Sequence, residues 1–117
     1  MECIPRTREG GFQHVTSANG DRQGVRLNES EMWIDTLFMT VLFLNRMGQK
    51  YGKQEWIDES IKQVLMHIKY LYDTHTGLFF HGWSFNRMDN LAACSGAAAT
   101  AGSRWVFWTI WICLRVR

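Results

Sequence analysis

Cysteine is scarce in this chain and its charges nearly cancel, and each shortage removes a class of protein. The three cysteines are Cys3, Cys94 and Cys113. An odd count without metal-ligand spacing excludes a disulfide framework and reads as a reduced, cytoplasmic protein. Lys and Arg number 13 against 11 Asp and Glu, a balance of +2. That field is too weak to draw a polyanion, so no nucleic acid partner is expected. The Trp-rich run from Trp105 to Leu114 stops at ten residues, well short of the roughly 20 that a spanning helix needs, so no membrane segment is expected. The opening Met-Glu-Cys-Ile-Pro-Arg-Thr-Arg has no apolar h-region and is not a secretory signal.

What is present is ordinary globular material. The 117 residues are 46% hydrophobic and 21% charged, which excludes collagen-like and wholly disordered chains and suits one small domain. Residues 1–91 hold ten basic and all eleven acidic side chains, so the excess charge comes from Arg104, Arg115 and Arg117 in the tail. The four histidines, His14, His67, His75 and His81, are scattered without a zinc pattern, and neither metal nor cofactor is expected.

Residues 9–30 are rich in Gly, Asn, Asp and Ser and read as a long loop. Met32 to Met47 then places Ile34, Leu37, Phe38, Val41, Leu42 and Leu44 at helical spacing, with Trp33, Met39 and Phe43 on the other faces. A helix apolar on nearly every side is expected to be buried. Gly48 and Gly52 bracket a turn, and Gln54 to Tyr72 carries the single stripe Ile57, Ile61, Val64, Ile68 and Leu71 with charges opposite. A buried helix followed by a one-sided helix suits a helical toroid, although a bundle would also fit. The Thr-His-Thr-Gly turn after Asp73 leads into Leu78 to Ser84, which is short, aromatic and expected to be extended. Beyond Leu91 neither helical stripe nor strand alternation organises the sequence.

Three blocks resemble a known family: Gly10-Gly11-Phe12-Gln13-His14, Met32-Trp33-Ile34-Asp35-Thr36-Leu37-Phe38-Met39, and Thr76-Gly77-Leu78-Phe79-Phe80-His81-Gly82-Trp83. Their order and spacing resemble the middle of the unsaturated rhamnogalacturonyl hydrolases, glycoside hydrolase family 105, which are similar to the unsaturated glucuronyl hydrolases of family 88. The resemblance implies an all-α fold, a fragment of an (α/α)6 toroid of the six-hairpin glycosidase type. Residues 1–92 would be the central part of that domain. As a fragment leaving much apolar surface uncovered, the piece itself is expected to be inactive.

The family's next landmark resembles Trp-Gly-Arg-Gly-Asn-x-Trp, whereas residues 95–102 read Ser-Gly-Ala-Ala-Ala-Thr-Ala-Gly. Taking the third base of each codon with the first two of the next changes this. The Ser95/Gly96 junction permits Trp, the three junctions from Gly96 to Ala99 permit Gly, Arg and Gly, Ala99/Thr100 permits Asn and Ala101/Gly102 permits Trp. Residues 93–117 are therefore expected to be an out-of-frame tail, with the slip between Asn90 and Ser95.

The resemblance further implies a substrate: a short pectin-derived oligosaccharide ending in a 4,5-unsaturated galacturonate linked to rhamnose. Hydrolysis of such an enol ether begins with protonation of C4 by a general acid and addition of water at C5. Asp35 is the candidate acid. An ordinary Asp titrates at about 3.9 and the helix dipole would lower that further, so burial beside Trp33 or a nearby carboxylate is expected to oppose it. By resemblance Trp33 would border the sugar, His81 would hydrogen-bond the uronate or the water, and His14 matches the Gly-Gly-Phe-x-His position. Read without the motif, Asp35 is a helix-start residue, Trp33 a core side chain and His81 a satisfied structural group. His67 and His75 are expected to serve structure or solvation. Two alternatives stay open: an unsaturated glucuronyl hydrolase, and a non-catalytic helical interaction module using Trp33, Trp56 and the tail tryptophans as anchors.

Overall fold

The computed structural model describes residues 4–14, 28–91 and Trp108. Residues 15–27, the centre of the expected loop, and the tail 93–117 apart from Trp108 lie outside the described residues. The element order is strand β1 (Glu31–Trp33), helix α1, helix α2 (Gln54–Leu71), strand β2 (Gly82–Ser84) and strand β3 (Asp89–Asn90). Helix α1 runs without a break through Ile34–Thr36, a π-helical stretch Leu37–Val41, and Leu42–Tyr51.

The fold is a helical hairpin with a small sheet across one end, so the all-α expectation holds for the hairpin and misses the sheet. The reason lies at Glu31 to Ile34. Met32 and Ile34 are buried while Glu31 and Trp33 are half-exposed. This alternation of two is the pleat of a strand, and it was hidden inside what reads as the first turn of a helix. Trp33 is extended, with φ −120° and ψ 144°, and the helix starts only after it. The sheet is antiparallel in the order β1-β2-β3. Trp33 faces Gly82, Met32 faces Trp83 and Glu31 faces Ser84. A Cβ at position 82 would lie 3.1 Å from Leu91 Cδ1 and 3.3 Å from the Met32 carbonyl oxygen, so glycine lets the strands meet.

Helices α1 and α2 pack tightly because Gly48 leaves room. A Cβ there would come within 2.8 Å of Ile57 Cγ1. Gly48 is thus an interior helix residue at a close contact, not the first bracket of the turn. Gly52, at φ +62°, ends α1 in the left-handed conformation that glycine adopts without strain. Between the helices, buried Asn45 donates from Nδ2 to Ser60 Oγ at 2.7 Å, and that hydroxyl donates to the Ile57 carbonyl at 2.6 Å. Leu37, Val41, Val64 and Leu71 from the helices join Phe12, Met32, Phe79 and Phe85 in one core.

The expected all-round burial of α1 is not observed. Phe38, Met39 and Phe43 are 53%, 73% and 64% exposed. Only the face carrying Ile34, Leu37, Val41 and Leu44 meets α2 and the sheet among the described residues. Helix α2 ends one residue short of the expected Tyr72, which is already extended and bridges Phe79. The turn between them is held by Asp73. Its Oδ1 accepts from the His75 amide at 2.9 Å and its Oδ2 from the Thr76 hydroxyl at 2.6 Å. Gly77 takes the positive φ of +71° that closes the turn.

Candidate active site

Strand β1 lies between two segments, and this places the candidate residues together. On one side the His14 amide donates to the Glu31 carbonyl at 3.0 Å. On the other, the pairing of β1 with β2 sets His81 beside Trp33, and the Ile34 amide donates to the His81 carbonyl at 2.9 Å. The Trp33 indole therefore stands between two imidazoles. His14 stacks on it with ring centroids 5.0 Å apart and an interplanar angle of 26°, while His81 meets it edge-on at 5.0 Å and 81°. Asp35, two residues further on, holds Oδ2 3.6 Å from His81 Nε2. That separation is an ion pair when the imidazole is protonated and is too long for a direct hydrogen bond.

All four residues singled out from the sequence, His14, Trp33, Asp35 and His81, thus share one patch at the β1–α1 junction. Two details differ from the expectations. The burial anticipated around Asp35 is absent among the described residues, since its side chain is 53% exposed. One face of Trp33 is occupied by His14, so that face is not open to a sugar. His75 sits in the exposed turn, away from this patch.

Sequence reading missed three residues around the site. Glu31 accepts the Trp33 indole N–H on Oε2 at 3.0 Å. Gln63, fully buried on α2, accepts the Phe12 amide on Oε1 at 2.8 Å and donates from Nε2 to the Gly10 carbonyl at 3.0 Å. It reads the backbone of the Gly-Gly-Phe turn that delivers His14. Thr7 closes the same turn, its hydroxyl accepting the Gly11 amide at 3.1 Å. One helical turn beyond Gln63, His67 is buried and donates from Nδ1 to the Gln63 carbonyl at 2.7 Å. Burial pushes the His67 imidazole below its usual range, and the carbonyls of Gln63 and Trp33 offset part of that push. The ring is neutral at neutral pH and packs as a structural group. The available signal was the polar spacing Ser60, Gln63, His67 at i, i+3, i+7, which falls on the buried face of α2.

Glu59 links the same helix to the N-terminal turn. Its Oε1 accepts from Arg6 Nη1 at 2.6 Å and from Gln63 Nε2 at 2.8 Å. Burial raises its carboxyl, but these hydrogen bonds and the charges of Arg6 and Lys62 outweigh it and hold the carboxyl below its usual range.

A helical hairpin capped by a small sheet thus gathers a carboxylate, two imidazoles and an indole at one end. The chain matches the model of Glycosyl Hydrolase Family 88 over residues 1–116 and belongs to that family. It is 28% identical over 92 residues to the unsaturated rhamnogalacturonyl hydrolase YesR of Bacillus subtilis, covering 79% of this chain and 25% of that protein. A solved structure from Salmonella enterica, described as a possible member of the GH105 family, is 31% identical with a TM-score of 0.73, covering 96% of this chain and 33% of its own. A corresponding protein from Klebsiella pneumoniae gives the same identity and TM-score, over 92% and 32% of the two chains. A family 105 glycoside hydrolase from C. acetobutylicum, 20% identical, shares the fold with a TM-score of 0.77. The chain therefore spans between a quarter and a third of the relatives it matches. No helix among the described residues is long and apolar enough to cross a membrane.

Proposed function

We propose that this segment supplies the proton-donating side of an unsaturated rhamnogalacturonyl hydrolase, a cytoplasmic enzyme built as an (α/α)6 toroid. The observation that carries the reading is the convergence of His14, Trp33, Asp35 and His81 on one partly exposed patch. The substrate is a pectin-derived oligosaccharide with a 4,5-unsaturated galacturonate on rhamnose. Asp35 gives its proton to C4 of the enol ether. Water then adds at C5 and loses a proton to the carboxylate that remains, which restores the acid. The hemiketal opens and the C1 glycosidic link to rhamnose is released as the ring is lost. His81, beside Asp35, is placed to orient the water or the uronate carboxylate, and His14 to meet the same carboxylate from across the indole. Residues 93–117 enter this proposal as a stretch whose shifted frame would return Trp-Gly-Arg-Gly-Asn-x-Trp to the same domain.

The test is a chimera in which residues 4–91 replace the matching segment of the Salmonella relative. Hydration removes the double bond conjugated to the carboxylate, so turnover is followed as loss of ultraviolet absorbance. The chimera is expected to consume the unsaturated galacturonyl-rhamnose disaccharide, and Asp35→Asn to fold normally and lose at least about a hundredfold in rate, the usual scale of general-acid catalysis. Persistent turnover by Asp35→Asn removes that residue from the acid role. Running the unsaturated glucuronyl disaccharide in parallel separates the two substrate classes.

A further inference from the structure

The indole of Trp33 is the spacer that sets the distance between His14 and His81, so whatever fixes the indole fixes both imidazoles. Its ring contacts alone do not do so. A ring stacked on one imidazole and edge-on to another can still swing about its Cβ, because such contacts are tolerant of angle and each is worth only about 1 kcal/mol. The directional contact is the hydrogen bond from Trp33 Nε1 to Glu31 Oε2 at 3.0 Å. Both residues lie on one side of strand β1, two apart, where the pleat turns their side chains the same way. The backbone of Glu31 is committed to the same site, since its carbonyl accepts the His14 amide. One residue thus holds His14 through its main chain and the ring between His14 and His81 through its carboxylate.

We propose that Glu31 is a positioning residue of this site: its carboxylate clamps the Trp33 indole and so sets the spacing of His14 and His81 that a bound uronate meets. The functional half of this statement rests on the hydrolase reading above, while the positioning half does not. A carboxylate accepting an indole N–H makes a charge-assisted bond that is shorter and stronger than a neutral pair. Glutamine at the same place keeps the acceptor oxygen and the reach, and leucine keeps neither.

The experiment compares the 117-residue chain with Glu31→Gln and Glu31→Leu by NMR, the Trp33 indole signal being assigned by its loss in Trp33→Phe. In the unmodified chain and in Glu31→Gln, the Trp33 N–H is expected to exchange slowly with water. The His14 imidazole protons are expected to be shifted upfield by the ring beneath them. In Glu31→Leu both signatures are expected to vanish with the far-ultraviolet circular dichroism unchanged. In the chimera carrying residues 4–91, affinity for the unsaturated galacturonyl-rhamnose disaccharide is expected to fall roughly tenfold in Glu31→Leu, equivalent to about 1.4 kcal/mol, and to stay within about twofold in Glu31→Gln. In a Trp33→Phe background, Glu31→Leu is expected to have no further effect on the disaccharide, as a double-mutant cycle requires when the coupling is lost. The proposal is overturned if Glu31→Leu keeps the upfield His14 signals, if Glu31→Gln loses them as fully as Glu31→Leu, or if the two substitutions act independently. If the 117-residue chain shows both signatures and the chimera carrying unmodified residues 4–91 does not bind the disaccharide, the hydrolase reading is overturned and the clamp stays in place.

Discussion

His67 carries the one buried titratable ring of the described hairpin, and its surroundings give stability a direction in pH. In the folded chain it is neutral because burial penalises the charged form, so its folded value lies below the ordinary 6.5. Unfolding exposes the ring to water, where it binds a proton more readily. The unfolded state therefore takes up more protons as pH falls, and stability rises with pH through this window. The His67 contribution is full above about 6.5 and is lost as pH drops from there toward the folded value. Glu59 and Asp73, whose carboxyls are held below their usual ranges, lose their contributions only at lower pH. Urea midpoints measured between about pH 7.5 and 5 should decline in the unmodified chain and decline less steeply in His67→Leu. Equal slopes in the two would show that His67 does not take up the proton. The substitution also removes the donor to the Gln63 carbonyl, so a uniform loss of roughly 1 to 2 kcal/mol is expected beneath the changed slope.

At the scale of elements, the hairpin depends on how closely α1 approaches α2, and Gly48 sets that approach. A methyl group at this position meets Ile57 Cγ1 at 2.8 Å, the Lys53 carbonyl at 3.1 Å and the Ile57 amide at 3.2 Å. Two of those three atoms are backbone and cannot rotate away. Alanine gains about 1 kcal/mol of helix propensity, while overpacking costs about 1 to 3 kcal/mol, so Gly48→Ala is expected to destabilise by up to about 2 kcal/mol. Chemical denaturation checks this, and a stabilised variant would mean that the helices separate freely. The same elements show where sequence reading succeeds. The stripe Ile57, Ile61, Val64, Ile68, Leu71 marks α2 because one inward face repeats at helical spacing over about four turns. Leu78 to Ser84 is legible as extended because it is short and aromatic. Glu31 to Trp33 is not legible as a strand, because three residues of alternation cannot be told from the first turn of the helix that follows. That error also hid Glu31, which joins the site only through a strand's pairing of i with i+2. The candidate residues themselves were legible from motif blocks, whereas their mutual contacts come from the β1–β2 pairing that no periodicity reveals. Gln63 escaped because a polar side chain on a helix reads as its wet face unless something buried needs a partner, whereas His67 was legible as a structural group.

For the molecule as a whole, the face of α1 opposite the core decides how the chain behaves in solution. Asp35, Phe38, Met39, Phe43 and Arg46 lie on it, with the three apolar side chains more than half exposed. An apolar stripe of this kind on a monomer marks a surface made to be covered. The chain spans about a third of its structural relatives, and in the proposed toroid the neighbouring helices would cover the stripe and wall the site at Asp35. Electrostatics offers little protection meanwhile, because a net charge of +2 over 117 residues gives copies little repulsion. The 117-residue chain is therefore expected to associate with rising concentration in sedimentation velocity. The double variant Phe38→Lys, Phe43→Lys raises the charge and breaks the stripe while touching none of the core face. It is expected to sediment as a monomer with unchanged helical circular dichroism. Association that persists in the double variant would locate the contact elsewhere. A monomer in both would mean that the stripe is already covered by this chain, and the need for neighbouring helices beside Asp35 would go with it.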